Sequence, residues 1–247
     1  MFRAVIKQAL IFALGLSVCI CGYAQDVARQ VPFNGAELYS TNIKPFYQWN
    51  GVLARMDAGT QAHRPWQENK ARLVSLPLGE MARQVNDIVN TYPYIDDQVN
   101  WGTSDYWETV AEFFAKGGDC EDFAIAKYAW LRSLGVAEEE LRIAIVYDRI
   151  RKMTHAVVIL HIKGKAMILD SQIKDIRDSG TSNRHRMIYS INRLGWWLPK
   201  LPSNVKLSAL QDMADVEPSS GGDIFDFSQA CLAGMISPEC LNTIQPH

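Results

Sequence analysis

The sequence lacks several features that would assign it to a class at once. Its longest apolar run, Ala9–Ile20, is shorter than the roughly 20 residues that span a bilayer. A formal net charge of −2 over 247 residues provides no basic surface for nucleic acid, so we expect no nucleic-acid partner. No internal repeat is present. A hydrophobic content of 48% with 21% charged residues excludes a wholly disordered chain and a polytopic membrane protein.

The N-terminus has the pattern of a secretory signal peptide. Arg3 and Lys7 form a short basic region before the apolar run, and small residues surround a cleavage point after Ala24. We therefore predict a signal peptide over residues 1–24 and an exported protein. An uncleaved anchor is the alternative; lipidation at Cys19 or Cys21 is disfavoured because bulky residues precede both.

Cysteine is scarce in the predicted mature chain. Only Cys120, Cys231 and Cys240 follow residue 24. An odd number in an oxidising compartment indicates intermolecular pairing or a free thiol, and Cys231 with Cys240 could close a short loop on their own. Cys120 would then be the unpaired thiol.

The distribution of charge predicts a domain over residues 25–202 and an acidic, loosely packed tail over residues 203–247. Beyond Pro202 the chain carries six acidic residues against Lys206 alone, with a Ser-Ser-Gly-Gly break at 219–222. A solvated tail is the expected state of such a segment.

Hydrophobic periodicity predicts an α+β fold in which helices are followed by an antiparallel sheet. Three prolines suggest that Asp26–Pro77 is extended and wraps the core. The predicted helices cover 78–89, 104–115 and 119–135, and the predicted strands cover 141–147, 154–162, 166–170 and 187–198.

Cys120 in the first turn of a predicted helix is a candidate nucleophile, because the helix N-terminus lowers the pKa of a thiol. The carboxylates of Asp119, Glu121 and Asp122 act in the opposite direction unless a cation neutralises them. These carboxylates could bind Ca²⁺, although the spacing is not that of an EF-hand, or they could cap the helix. An inert, buried Cys120 is a further alternative.

A predicted hairpin selects a histidine to act with this thiol. If Lys163-Gly164 is a two-residue loop, Ile162 faces Lys165, and His155 then lies diagonally opposite Asp170 on the same face. His161 lies ~13 Å further along the strand, which is too far. A one-residue slip would turn Asp170 away, and both residues could instead have structural roles.

These residues resemble the bacterial transglutaminase-like cysteine proteinases of the LapG family. The similarity covers about residues 40–200 and rests on three segments, Gly117–Ala124, Thr154–Val158 and Leu169–Ser171. It implies a papain-like, transglutaminase-like core in which a helix bearing the cysteine packs on an antiparallel sheet. It also implies Cys120 as nucleophile, His155 as general base and acid, and Asp170 as the group that orients the imidazole.

The resemblance further implies dependence on Ca²⁺, with Asp119 and Glu121 as ligands and Asp122 less surely so. Additional oxygen ligands could come from the Asn100–Asp105 loop. The implied activity is that of a periplasmic endopeptidase that cuts a large surface adhesin near its N-terminus, at small residues such as Ala-Ala, and so disperses a biofilm. An inner-membrane cyclic di-GMP receptor would sequester the protease, through an exposed tryptophan. A transglutaminase or amidase, or a non-catalytic binding module, are the alternatives.

Overall fold

The computed structural model describes residues 28–58 and 63–200, in which most helices precede most strands. The helices are α1 (Tyr47–Ala58), α2 (Arg64–Val74), α3 (Leu78–Val89), α4 (Asp97–Asn100), α5 (Val110–Lys116) and α6 (Cys120–Ser133). The strands are β1 (Glu37–Ser40), β2 (Leu141–Asp148), β3 (Met153–Ile162), β4 (Lys165–Leu169), β5 (Arg177–Asp178), β6 (His185–Ile191) and β7 (Trp196–Pro199). The strands form one antiparallel sheet in the order β1-β7-β6-β2-β3-β4-β5. The predicted α+β class is therefore confirmed.

Helix α6 packs against β3 and β2 near the centre of the sheet. Its long run of buried side chains joins Ala156, Val158 and Leu160 of β3 in the main hydrophobic core. Because α6 begins at Cys120, burial of the helix fixes the thiol beside the central strands. The predicted helix bearing the cysteine thus packs on an antiparallel sheet.

The N-terminal segment covers part of the opposite face of the sheet. Val157 and Ile159 point into a second, smaller core, against which Phe33 packs. Gln30 ties this segment to the β3–β4 hairpin, since its backbone N–H donates to Gly164 O at 2.7 Å. The sheet is therefore buried on both faces.

The prediction that Asp26–Pro77 is extended is wrong for Tyr47–Ala58 and Arg64–Val74, which are the helices α1 and α2. In α1, Trp49, Val52 and Leu53 share one buried face at helical spacing. Pro65 lies in the first turn of α2, where a missing N–H breaks no intrahelical bond. Prolines taken as breakers therefore stand at or before helix starts.

Two further predicted elements differ from the structure. The helix expected over 104–115 is confined to α5, because Thr109 and Glu112 form a capping box that starts it. The strand expected over 187–198 is a pair, β6 and β7, joined by a turn in which Asn192 Oδ1 accepts the N–H groups of Leu194 and Gly195.

The predicted register of the catalytic hairpin is confirmed. Ile162 pairs with Lys165 and His161 with Ala166. Lys163 and Gly164 have φ of 52° and 79°, the left-handed pair that a tight two-residue turn requires. No helix within 28–58 and 63–200 is long and apolar enough to cross a membrane. The predicted signal peptide, the acidic tail, and Cys231 with Cys240 lie outside the described residues.

Candidate active site

The backbone before α6 places Cys120 at the first helical position. Gly117 has φ of 95°, which favours glycine, and a Cβ there would lie 2.3 Å from Pro93 O. A Cβ on Gly118 would lie 2.3 Å from Asp122 Oδ2. The two glycines thus allow the chain to pass close to Pro93 and Asp122 before it enters the helix.

Asp122 fastens this turn from inside the helix. Its Oδ2 accepts the Asp119 N–H at 3.0 Å, and its Oδ1 accepts the Glu108 N–H at 2.7 Å. Both oxygens of this buried carboxylate therefore hold backbone donors, one at the helix start and one on the preceding loop. Asp122 performs the capping role that the sequence left open.

The thiol of Cys120 is protonated in this arrangement. Burial raises its pKa well above the ordinary value, and the negative charges of Glu121 and Asp119 raise it further. The thiol donates to Glu121 Oε2 at 3.0 Å. The Ala156 N–H on β3 acts in the opposite sense, lowering this pKa by hydrogen bonding. The sulfur therefore lies next to the strand that carries His155.

His155, the residue before Ala156 on β3, forms a buried pair with Asp170. His155 Nε2 lies 2.8 Å from Asp170 Oδ1, and the side chains are 2% and 1% exposed. Asp170 is the first residue after β4, and its Oδ1 also accepts the Gln172 N–H at 2.8 Å. With Nε2 directed at the carboxylate, Nδ1 is the ring nitrogen left to exchange a proton with a thiol. The predicted His–Asp contact is present.

Asp170 is charged despite its burial. Burial alone would raise its pKa, but the hydrogen bond with His155 and the nearby imidazole of His185 outweigh that effect and lower it. The charge of the same carboxylate also acts on Lys127, which lies two turns beyond Cys120 on α6. Its burial lowers the pKa of its amine to about 7, while the Asp170 charge raises it.

The carboxylates before and after Cys120 join two groups that could hold a metal. One contains Asp119, Cys120 and Glu121, and the other contains Asp97, Asp119 and Asp122, with ligand atoms within 4.8 Å in each. Sequence reasoning missed Asp97, which lies at the start of α4. No local spacing links it to the cysteine motif; only the close passage of Ile95 N to Gly118 O, at 2.9 Å, brings the segments together.

The chemistry of this cluster fits a cation. Burial and neighbouring carboxylates raise the pKa of Asp119 to about 11, burial foremost and then Glu121 and Asp122. Burial and the Glu108 charge likewise raise the pKa of Asp122 to about 9. Asp119 Oδ1 and Asp97 Oδ1 are buried without a hydrogen-bond partner. Buried acceptors that repel one another and lack donors are suited to a divalent ion with oxygen ligands.

The Asn100–Asp105 loop, expected as a source of further ligands, uses its side chains elsewhere. Asn100 Nδ2 donates to Glu108 Oε1 at 2.6 Å and to Gly117 O at 3.1 Å. Asp105 accepts from Gln48 Nε2 at 2.6 Å and Trp107 Nε1 at 3.0 Å. The loop therefore braces the glycine turn before Cys120.

Comparisons with known proteins agree with this geometry. The family model of the bacterial transglutaminase-like cysteine proteinases, BTLCP, matches residues 55–198. The chain belongs to this family. The matched segment contains Cys120, His155 and Asp170, so the cysteine, the His–Asp pair and the acidic cluster all lie in the part that defines this cysteine proteinase.

Solved structures of LapG from Legionella pneumophila are similar to this cysteine proteinase. The calcium-bound form is 27% identical, with a TM-score of 0.51, over 63% of this chain and 91% of that one. The EGTA-treated form is 28% identical, with a TM-score of 0.51, over 67% of this chain and 89% of that one. A search of curated proteins found no match.

A cavity of about 340 Å³ adjoins the candidate catalytic residues of this proteinase. Phe123, one turn after Cys120, forms part of its wall, as do Ser171 and Gln172, which directly follow Asp170. Asn90, Tyr92, Tyr94 and Arg151 complete the lining. A cleft with aromatic walls and polar groups is typical of a substrate site.

Proposed function

We propose that this chain is an exported, calcium-dependent cysteine endopeptidase with Cys120, His155 and Asp170 as its catalytic residues. The observation that carries the proposal is the 2.8 Å His155–Asp170 contact, one residue along β3 from the Ala156 N–H that hydrogen-bonds the Cys120 sulfur. A thiol at a helix N-terminus and an imidazole oriented by a carboxylate are the parts that acyl transfer needs.

Cys120 and His155 can carry out the steps of peptide hydrolysis. His155 Nδ1 accepts the thiol proton, and the Cys120 sulfur attacks the scissile carbonyl carbon. The C–N bond breaks as His155 returns the proton to the leaving amine, and water then hydrolyses the thioester with His155 as base. The Cys120 backbone N–H, which points out of the helix start, can donate to the oxyanion.

A calcium ion fits the acidic cluster, with Asp119 and Glu121 as first candidates and Asp97 as an addition from the structure. When bound, it would offset the negative charges that raise the pKa of the Cys120 thiol. Asp122 stays a predicted ligand, although both of its oxygens already accept backbone hydrogen bonds. The calcium-bound LapG structure supports this assignment by similarity.

A polypeptide substrate suits the surroundings of the cavity. Tyr94 lines the cavity and is 48% exposed, and Arg151, which also lines it, follows the exposed Ile150 in the chain. Such a rim can hold an extended chain on either side of the scissile bond. We propose a large surface adhesin as that substrate, cut near its N-terminus at small residues such as Ala-Ala, with biofilm dispersal as the consequence.

We also propose that an inner-membrane cyclic di-GMP receptor sequesters the enzyme in the periplasm. None of the seven tryptophans is among the exposed large side chains. Three are half-buried, Trp66, Trp101 and Trp197, and a basic side chain lies over the ring of each. A contact through tryptophan would therefore require Lys70, Lys116 or Arg142 to move aside.

The test uses the mature chain and an N-terminal adhesin fragment from the same organism, followed by gel. We expect cleavage with Ca²⁺, none after EGTA, and recovery when Ca²⁺ is returned. Cys120→Ala and Asp119→Asn should abolish cleavage, whereas the exposed, neighbouring Asp96→Asn should retain it. Full cleavage by Cys120→Ala would overturn the mechanism. Incorporation of an added amine into a glutamine peptide would indicate a transglutaminase instead.

A further inference from the structure

Asp170 is in contact with two imidazoles. His185 Nε2 lies 3.4 Å from Asp170 Oδ2, while His155 Nε2 lies 2.8 Å from Oδ1. The two rings are 6.3 Å apart between centroids, with planes inclined by 30°. The carboxylate therefore hydrogen-bonds the candidate general base at Oδ1, and at Oδ2 it faces a second histidine at 3.4 Å without hydrogen-bond geometry.

Nothing else in the described chain offers the side chain of His185 a polar partner. Its side chain is 1% exposed, and neither ring nitrogen makes a hydrogen bond of ordinary geometry within 28–58 and 63–200. Phe33 packs its ring edge-on at 6.4 Å. A buried imidazole without a partner costs free energy, and Asp170 Oδ2 is the acceptor within reach. The proximity of Asp170 thus accounts for the burial of the His185 imidazole.

The elements that hold His185 are rigid. It begins β6, where it pairs with Asp148 at the end of β2. The preceding residue, Arg184, forms a 2.6 Å ion pair with that same Asp148. His185 is consequently anchored from the central strand of the sheet rather than from the loop that carries Asp170. His185 can therefore restrain the carboxylate of Asp170, whose backbone lies just after the end of β4.

We propose that His185 is a positioning residue, which restrains the Asp170 carboxylate and thereby the His155 ring. This inference rests on the proposed catalytic role of Cys120, His155 and Asp170. The Gln172 N–H and His155 both hold Oδ1, whereas Oδ2 has only the ring of His185 beside it, so loss of that ring leaves the carboxylate more room to turn about its last bond. His185 touches neither substrate nor sulfur, so it acts only through Asp170.

The first test compares three variants of the mature chain with Ca²⁺ present. His185→Leu removes the donor, His185→Gln keeps an N–H that can reach the carboxylate, and His161→Leu removes another buried histidine of the same sheet. We expect His185→Leu to lower kcat about tenfold with KM unchanged, because the imidazole contact with a buried carboxylate is lost while substrate binding is not touched. His185→Gln should recover most of kcat, and His161→Leu should leave it unchanged.

Alkylation of Cys120 by iodoacetamide provides the same comparison without a substrate. The rate should fall in His185→Leu and recover in His185→Gln, because a displaced His155 is a poorer acceptor for the thiol proton. Equal losses in His185→Leu and His161→Leu would show a general effect of destabilisation and would overturn the proposal. So would an unchanged kcat in His185→Leu.

A spectroscopic arm keeps the proposal testable if His185→Leu does not fold. In ¹⁵N-histidine NMR spectra, Asp170→Asn should shift the Nε2 resonances of both His155 and His185. A shift of His155 alone would overturn the inference. If the wild-type chain cleaves no peptide while both resonances move, the proposed function fails and the His185 contact stands, so the two failures are distinguishable.

Discussion

Asp119→Asn should stabilise the metal-free protein at alkaline pH while removing its response to calcium. Burial, together with the charges of Glu121 and Asp122, raises the pKa of Asp119 to about 11 from an ordinary value of 3.8. Between these values the folded chain retains a proton that the unfolded chain has released. The free energy of unfolding therefore falls as pH rises through this window. An asparagine has no proton to lose.

The expected magnitude follows from the linkage relation. One retained proton changes the free energy of unfolding by about 1.4 kcal/mol per pH unit, so pH 5 to pH 8 corresponds to at most about 4 kcal/mol. The pKa of Asp122 is also raised, to about 9, so Asp122 likewise makes the free energy of unfolding fall as pH rises. This contribution remains in the Asp119→Asn variant. Calcium at a hundred times its Kd would restore about 2.7 kcal/mol to the wild-type chain at pH 8.

Urea unfolding at pH 5 and pH 8, each with EGTA or Ca²⁺, measures all of these quantities. Wild type should lose stability between the two pH values in EGTA and regain it with Ca²⁺, whereas Asp119→Asn should lose less and gain little from Ca²⁺. Asp96→Asn, which removes an exposed carboxylate next to the cluster, should behave as wild type. A wild-type stability that does not fall from pH 5 to pH 8 in EGTA would refute the reasoning.

Other substitutions test the remaining parts of the site. Cys120→Ser should lower kcat/KM by at least about 10³, because a hydroxyl ionises far less readily than a thiol; residual activity near wild type would exclude Cys120 as nucleophile. Asp170→Asn should lower kcat by about 10²–10⁴ with KM little changed, read from initial rates. Tyr94→Ala, at the 48% exposed cleft wall, should raise KM without a loss of unfolding free energy. Gly117→Ala should lower the unfolding midpoint, because its φ of 95° and the 2.3 Å approach to Pro93 O leave no place for a Cβ.

The catalytic hairpin could be predicted because its constraints are local. Two loop residues that accept positive φ fix the pairing of Ile162 with Lys165, and a strand period of two then determines which side chains share a face. The contact of His155 with Asp170 follows from that arithmetic. The same reasoning could not reach His185, because β6 joins the sheet beside β2, on the side away from β4.

The N-terminal helices show where local rules fail. Pro45 and Pro65 were read as interruptions, yet each lies where a helix can begin without loss of a hydrogen bond. The deciding fact for α1 is tertiary, since Trp49 is fully buried and its Nε1 donates to Asn192 O at 3.3 Å. A partner 143 residues away is not visible in a short window of sequence.

The carboxylates of the cysteine motif differ in their roles, so helix capping and metal binding are compatible. Asp122 uses both oxygens to accept backbone N–H groups, so its carboxyl group is needed for the turn itself. Asp119 Oδ1 accepts no hydrogen bond, and Glu121 Oε2 accepts a hydrogen bond from the Cys120 thiol. Asp119 and Asp122 form a reciprocal capping box at the start of α6, and this box leaves Asp119 Oδ1 unused. The excess negative charge at Asp119 and Glu121 raises the pKa of the very thiol that must ionise, which has a chemical purpose only if a cation offsets it. In the proposed mechanism a calcium ion would thus act through the electrostatics of Cys120 and not by contact with the substrate.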